Sequence, residues 1–179
     1  MIPLLKTTVE KIPEKIRGRA TTPEADHLFE VRLDGERVLL DKDRSNASHH
    51  AVGQLLFAIT GARKYIKTTI NFLATRVREP DEDDWGKLKC FLRYFCCTNY
   101  TSLILQVNIL TIMKWWVGAS YAMHQDCQSH TGATIYFGKG LVSIMSKRQK
   151  INTKILTKDK LVGSDNRLPK FLWTCYFLE

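Results

Sequence analysis

Three stretches of the chain hold side chains of the types that do chemistry. His124-x-x-Cys127-x-x-His130 offers imidazoles and a thiol at the short spacing of zinc ligands. A structural zinc wants a fourth ligand, and none is evident, so the stretch reads as a loop and no metal ligand is assigned. "SKRQKINTK", residues 146–154, sets Lys147, Arg148, Lys150 and Lys154 beside Ser146 and Asn152. Such cations neutralise phosphate charge, and the small polar groups donate to phosphate oxygens, so these residues are candidate nucleic-acid contacts. The third is Asp83-Asp84, a carboxylate pair in "EPDEDDWGKLKCFLRYF". It falls in the first turn of an expected helix, where acids complement the positive end of the dipole. A nucleophilic pair of Cys96, Cys97 or Cys175 with His49 or His50 has no local motif behind it.

The elements that must position these residues follow from periodicity. Ala51, Val52, Leu55, Leu56 and Ile59 recur at helical spacing, with Ser48 as the expected N-cap and Gly61 as the stop. A second helix is expected over residues 64–77, with Ile66, Ile70, Phe72, Leu73 and Val77 on its apolar side. Pro80 opens a third, whose inner face is Trp85, Leu88, Phe91 and Leu92. After Tyr100 the pattern shifts to short runs rich in branched and aromatic residues: "SLILQVN", "IMKWWVGAS", "GATIYFG" and "LVSIMSK". These predict four strands, with "FGKG" as a hairpin turn. Trp115 and Trp116 then point to opposite faces. A last helix resumes near Thr157, with a kink expected at Pro169.

Composition narrows the function classes. The 179 residues carry a formal charge of +9, and the excess lies late: residues 101–179 hold ten basic and four acidic side chains. That distribution suits a polyanionic partner. Five cysteines without a CxxC pair argue for a reducing, intracellular compartment and against a disulfide framework. Residues 94–113 are free of charge for 20 positions. Their asparagines, threonines and glutamine are costly in lipid, so no membrane span is expected. No small-molecule substrate is expected either.

Together the stretches resemble the pol polyprotein of Copia-type long-terminal-repeat retrotransposons, from the end of the reverse transcriptase into the ribonuclease H domain. "HHAVGQLLFAITGARKYI" is similar to that family's AVGxLLxxxxxxRPDI stretch, and "PDEDDWGKLKCFLRYF" to its xxHWxxxKRxLRYLxGT helix. "WWVGASYAMHQDCQSHTGATIYFGKGLVSIMSKRQKINTKILTKDKLVG" follows VDASYA, S-x-TG, GKGxVxxxSxKQK and STEAEL. The resemblance runs from about residue 21 to the end. It implies an α+β fold, with a short helical connecting region and then an incomplete ribonuclease-H-like mixed β-sheet with a packed helix. The expected organisation is a loosely structured leader over 1–47, the helical region over 48–100 and the sheet domain over 101–179.

The departures from the family pattern bear on chemistry. Ribonuclease H cleaves the RNA of an RNA–DNA hybrid with magnesium ions held by converging carboxylates. The resemblance places the first of these at Gly118 and the second at Lys160, so neither position carries one. The remaining acids are expected beyond residue 179, with a further central strand and an outer helix. Asp159, Asp126 and Asp165 stand at the wrong positions to replace them. At 63–66 the family's RPDI has become "RKYI". The expected chain is thus a catalytically inactive remnant that needs no cofactor, the magnesium of the intact family having lost its ligands. Its remaining partner would be RNA–DNA hybrid or other nucleic acid, held through the basic segment. The apolar run "KFLWTCYFLE" is expected to leave Phe171, Leu172, Trp173, Phe177 and Leu178 exposed.

Overall fold

The computed structural model describes residues 7–33, 35–61, 63–98, 100–101, 104–107, 112–124 and 126–178. The chain divides into two compact units, Met1–Thr101 and Ser102–Glu179.

The first unit is helical. Helix α1 spans Lys42–Gly61, a 3-10 turn covers Lys64–Ile66, α2 follows directly over Lys67–Arg76, and α3 spans Glu82–Cys97. α1 begins six residues before the expected Ser48 cap. The reason is local: Asp41 takes the capping place, accepting the Arg44 backbone N–H at 3.5 Å, and Ser48 is buried inside the helix. α3 starts on a reciprocal cap. Asp84 N–H donates to Asp81 Oδ1 at 2.8 Å, and Asp81 N–H donates to Asp84 Oδ2 at 3.3 Å.

The periodic apolar residues of these helices meet in one core. Val52, Leu55, Ile59, Ile66, Ile70 and Leu73 pack with Trp85, Leu88, Phe91, Leu92 and Phe95. Residues 7–33 lie against it, mostly without regular structure: Ile12 and Leu28 are buried, and Glu14 accepts from Trp85 Nε1 at 3.1 Å and Lys89 Nζ at 3.0 Å. The Asp83-Asp84 pair is spent on structure, since Asp83 pairs with Lys87 at 2.8 Å and Asp84 with Arg76 at 3.2 Å. Arg63, the retained arginine of "RKYI", donates to Thr98 Oγ1 at 2.8 Å and to the Thr98 carbonyl, closing the C-terminal end of α3.

The second unit is a sheet with one helix. Strands β1 (Met113–Ser120), β2 (His130–Phe137) and β3 (Gly140–Arg148) form two successive hairpins in the order β1-β2-β3. The class is therefore α+β. The described sheet is wholly antiparallel, where a mixed sheet was expected, because each strand pairs only with its neighbour in sequence. The fourth expected strand is also absent from the described part of its run: residues 104–107 are not in a strand, and the rest of "SLILQVN" lies outside the described residues. Gln106 C=O accepts the Lys139 N–H at 3.0 Å, which lays this segment against the β2–β3 turn. Gly140 is obligatory there, since a Cβ would come within 2.8 Å of Leu105 Cα. Gly138 turns the hairpin at a φ of +70°.

Helix α4 spans Leu156–Leu178 and runs through Pro169. It covers one face of the sheet through Asp159, Gly163 and Arg167, which recur at i, i+4 and i+8. Gly163 allows the close approach, because a Cβ on it would sit 3.0 Å from Thr131 Cγ2 and 3.5 Å from Val117 Cγ1. Trp115 stacks on Phe171 at 4.5 Å between ring centroids, while Trp116 faces away, 67% exposed. Leu172, Trp173, Phe177 and Leu178 are exposed as expected; Phe171 is partly covered by that stacking.

Candidate functional site

The basic candidates lie on the last turn of β3 and the loop into α4. Lys147 is a strand residue on the face that α4 covers, opposite Thr131. Arg148 ends the strand, and Lys150, Asn152 and Lys154 follow in the loop. All five are exposed. Arg148 is engaged, its Nη1 3.0 Å from Asp126 Oδ2. Lys147, Lys150 and Lys154 make no ion pair among the described residues. Three such cations thus stand within eight residues, from the end of β3 into a loop tied to α4 through Gln149 and Thr153.

What holds that connection is a buried polar network that sequence reasoning passed over. Gln149 is 3% exposed, and its Nε2 donates to Thr131 Oγ1 at 2.7 Å and to the Asp159 carbonyl at 2.9 Å. Its backbone N–H donates to the Ser129 carbonyl at 2.8 Å. Asp159, fully buried, accepts from Ser129 Oγ at 2.7 Å and from Thr153 Oγ1 at 2.5 Å. The start of α4 is thereby bolted to β2 and to the basic loop. Asp159 carries both carboxylate oxygens into this network and not to a solvent-facing site. Spacing alone could have flagged it: as the acid one turn into α4, it shares the inner face with Gly163. The Gln149 Oε1 has no hydrogen-bond partner among the described residues. A buried acceptor left so costs about 1–3 kcal/mol.

Beside this network a cleft of about 330 Å³ opens between β3 and α4. Lys147, Arg148 and Lys150 stand at its mouth, and Met145, Ile151 and Val162 supply apolar surface. Gln149, Thr131 and Asn166 give it polar walls. Arg167, one residue beyond Asn166, is 8% exposed; its Nη2 donates to Ser143 Oγ at 2.6 Å, and it meets no carboxylate among the described residues. Burial pushes its pKa down. Among the described residues of the unit, Arg167 is thus a buried cation without a counter-charge.

On the opposite face lie Gly118 and a histidine pair. Gly118 is exposed, and nothing stands within 4 Å of where its Cβ would be. Its strand neighbours Val117 and Ala119 point to the α4 side, so position 118 points away from it. Lys160 is exposed on α4, next to the buried Asp159. The structure does not bring positions 118 and 160 to one face. Gly118 offers no ligand atom and Lys160 offers an ammonium, so these residues do not fit a divalent cation.

His124 Nε2 lies 3.1 Å from His130 Nδ1, and His130 Nε2 lies 2.8 Å from Ser146 Oγ. Burial, and secondarily the charge of His124, pushes the His130 pKa down to about 4. Burial likewise lowers His124, helped by the Arg148 charge and opposed by Asp126. Burial thus disfavours the charged form of both rings. Cys127 is exposed, at a φ of +56° in the same loop. Among the described residues no three potential ligands converge on a metal-sized site. No helix of the described chain is long and apolar enough to cross a membrane, and none of the five cysteines is paired.

No family model, no curated protein and no solved structure matches this chain.

Proposed function

We propose that the chain derives from a Copia-type retrotransposon pol polyprotein, and that its sheet-and-helix unit is a ribonuclease-H-like module that does not cleave. The observation that carries this reading is position 118. The motif resemblance puts the first metal-binding carboxylate there, and the residue is a glycine on the open face of β1. Lys160 replaces a second acid with a cation, which would repel magnesium. Asp159 is committed to Ser129 and Thr153, so it cannot stand in without dismantling the start of α4. The test is direct: the protein is incubated with a labelled RNA–DNA hybrid and magnesium, and RNA length is read on a denaturing gel. Intact RNA agrees with the reading; magnesium-dependent shortening overturns it.

A second reading is favoured by the free cations. Lys147, Lys150 and Lys154, exposed and without an ion pair among the described residues, would contact nucleic-acid phosphates. Contacts of this kind ignore sequence and weaken steeply with salt. The two readings are compatible: a module can lose its metal ligands and keep its phosphate contacts.

A further inference from the structure

We infer that the cleft between β3 and α4 binds a single unpaired nucleotide, its phosphate on Lys147 and Lys150 and its base against Met145, Ile151 and Val162. This rests on the nucleic-acid reading above, and it adds a specific site where that reading has only a charged strip.

The size of the cleft sets the occupant. About 330 Å³ is at the lower end for small-ligand sites and is too small for a duplex or a peptide helix. Its chemistry is divided as a nucleotide is divided. The cations that line it, Lys147, Arg148 and Lys150, are exposed, so a phosphate held there would remain partly solvated. The apolar residues match the flat face of a base, and the Met145 thioether is suited to contact with an aromatic ring. Gln149 and Asn166 are among the residues that line it. Gln149 cannot reverse its amide, because Nε2 already serves the Asp159 carbonyl, an acceptor only. Its amide is therefore held in place beside the cleft. A simple anion would leave the apolar wall unused. Bases in a duplex are stacked and paired, so the ligand is a nucleotide splayed from a single strand or an end.

The experiment titrates the full chain with AMP, adenosine and inorganic phosphate, following amide shifts by NMR, and measures blunt-ended RNA–DNA hybrid binding alongside. AMP should shift the Gln149 and Asn166 side-chain amides and bind at least tenfold tighter than phosphate or adenosine. Val162→Trp, which fills the cleft, should weaken AMP tenfold or more. Lys150→Glu, at an exposed residue without an ion pair among the described residues, gives the same test should the tryptophan variant not fold. AMP no tighter than phosphate, or AMP binding indifferent to Lys150→Glu, overturns the inference. Hybrid binding without AMP binding refutes the cleft and leaves the strip standing. Loss of both in the unaltered protein refutes the nucleic-acid reading itself.

Discussion

Gly118 of β1 lies directly opposite Gly132 of β2, and both are exposed on the sheet face that α4 leaves open. Two facing glycines leave a bare patch in the middle of a strand pair, where cross-strand side chains would ordinarily contribute. The next residue in that row is Ser146 of β3, hydrogen-bonded to His130. The strand pairing thus survives a position where the resemblance places a catalytic acid.

Gly118→Asp should fold. Nothing lies within 4 Å of its Cβ, so the change should alter stability by no more than about 0.5 kcal/mol. Combined with Lys160→Glu it should still give no magnesium-dependent cleavage, since the two positions do not share a face. Recovered cleavage by the double variant in the gel assay would show that the acids do converge.

Gly163→Val should behave in the opposite way. Its Cβ would meet Thr131 side-chain atoms at 3.0 and 3.1 Å, so Thr131 or α4 must give by a few tenths of an ångström, and the valine methyls add to the crowding. A loss of about 1–3 kcal/mol in urea unfolding is expected. A variant as stable as the parent would contradict the close packing described for α4.

Asp159→Ala should be the costliest change in the second unit. It strands the Ser129 and Thr153 hydroxyls and loosens the connection carrying Lys150 and Lys154. Destabilisation of about 3 kcal/mol is expected. Amide exchange at residues 149–155 should quicken in the same variant, and unchanged protection there would sink the positioning role.

His130 gives the unit a defined acid limb. It is neutral in the fold with a pKa of about 4, against an ordinary 6.5, so between those values the unfolded chain binds more protons. Stability should fall as the pH drops from 6.5 toward 4 and gain no further loss from this group below that. The ring resonance should titrate near 4, and His130→Gln should flatten the limb. A His130 titrating at 6 or above would contradict the burial described.

Much of the first unit was legible in sequence, because its signals are local. The apolar residues of the three helices recur at 3.6-residue spacing and form the core they imply, and the acids before Trp85 mark a helix start. Ser48 misled because a hydroxyl before an apolar run looks like a cap, while Asp41 upstream reached the backbone first. In the second unit the hairpin strands were legible from β-branched runs and the glycine turn. "SLILQVN" reads as a strand too, yet Ile104 and Leu105 stay exposed: composition predicts strand propensity but not whether a partner edge exists. The network of Gln149, Thr131, Ser129 and Asp159 was not legible, since its members come from three separate segments. The cleft beside it was hidden for the same reason.

The measurement that tests the account most directly is RNA–DNA hybrid binding against salt, in magnesium buffer, with the RNA strand recovered afterwards and sized. The account predicts binding whose affinity falls steeply with salt, a log–log slope near −3 for three phosphate-contacting lysines by the counterion relation, and intact RNA. Lys147→Gln, Lys150→Gln and Lys154→Gln should each lower that slope by about one. Salt-insensitive binding, no binding at low salt, or shortened RNA would contradict it.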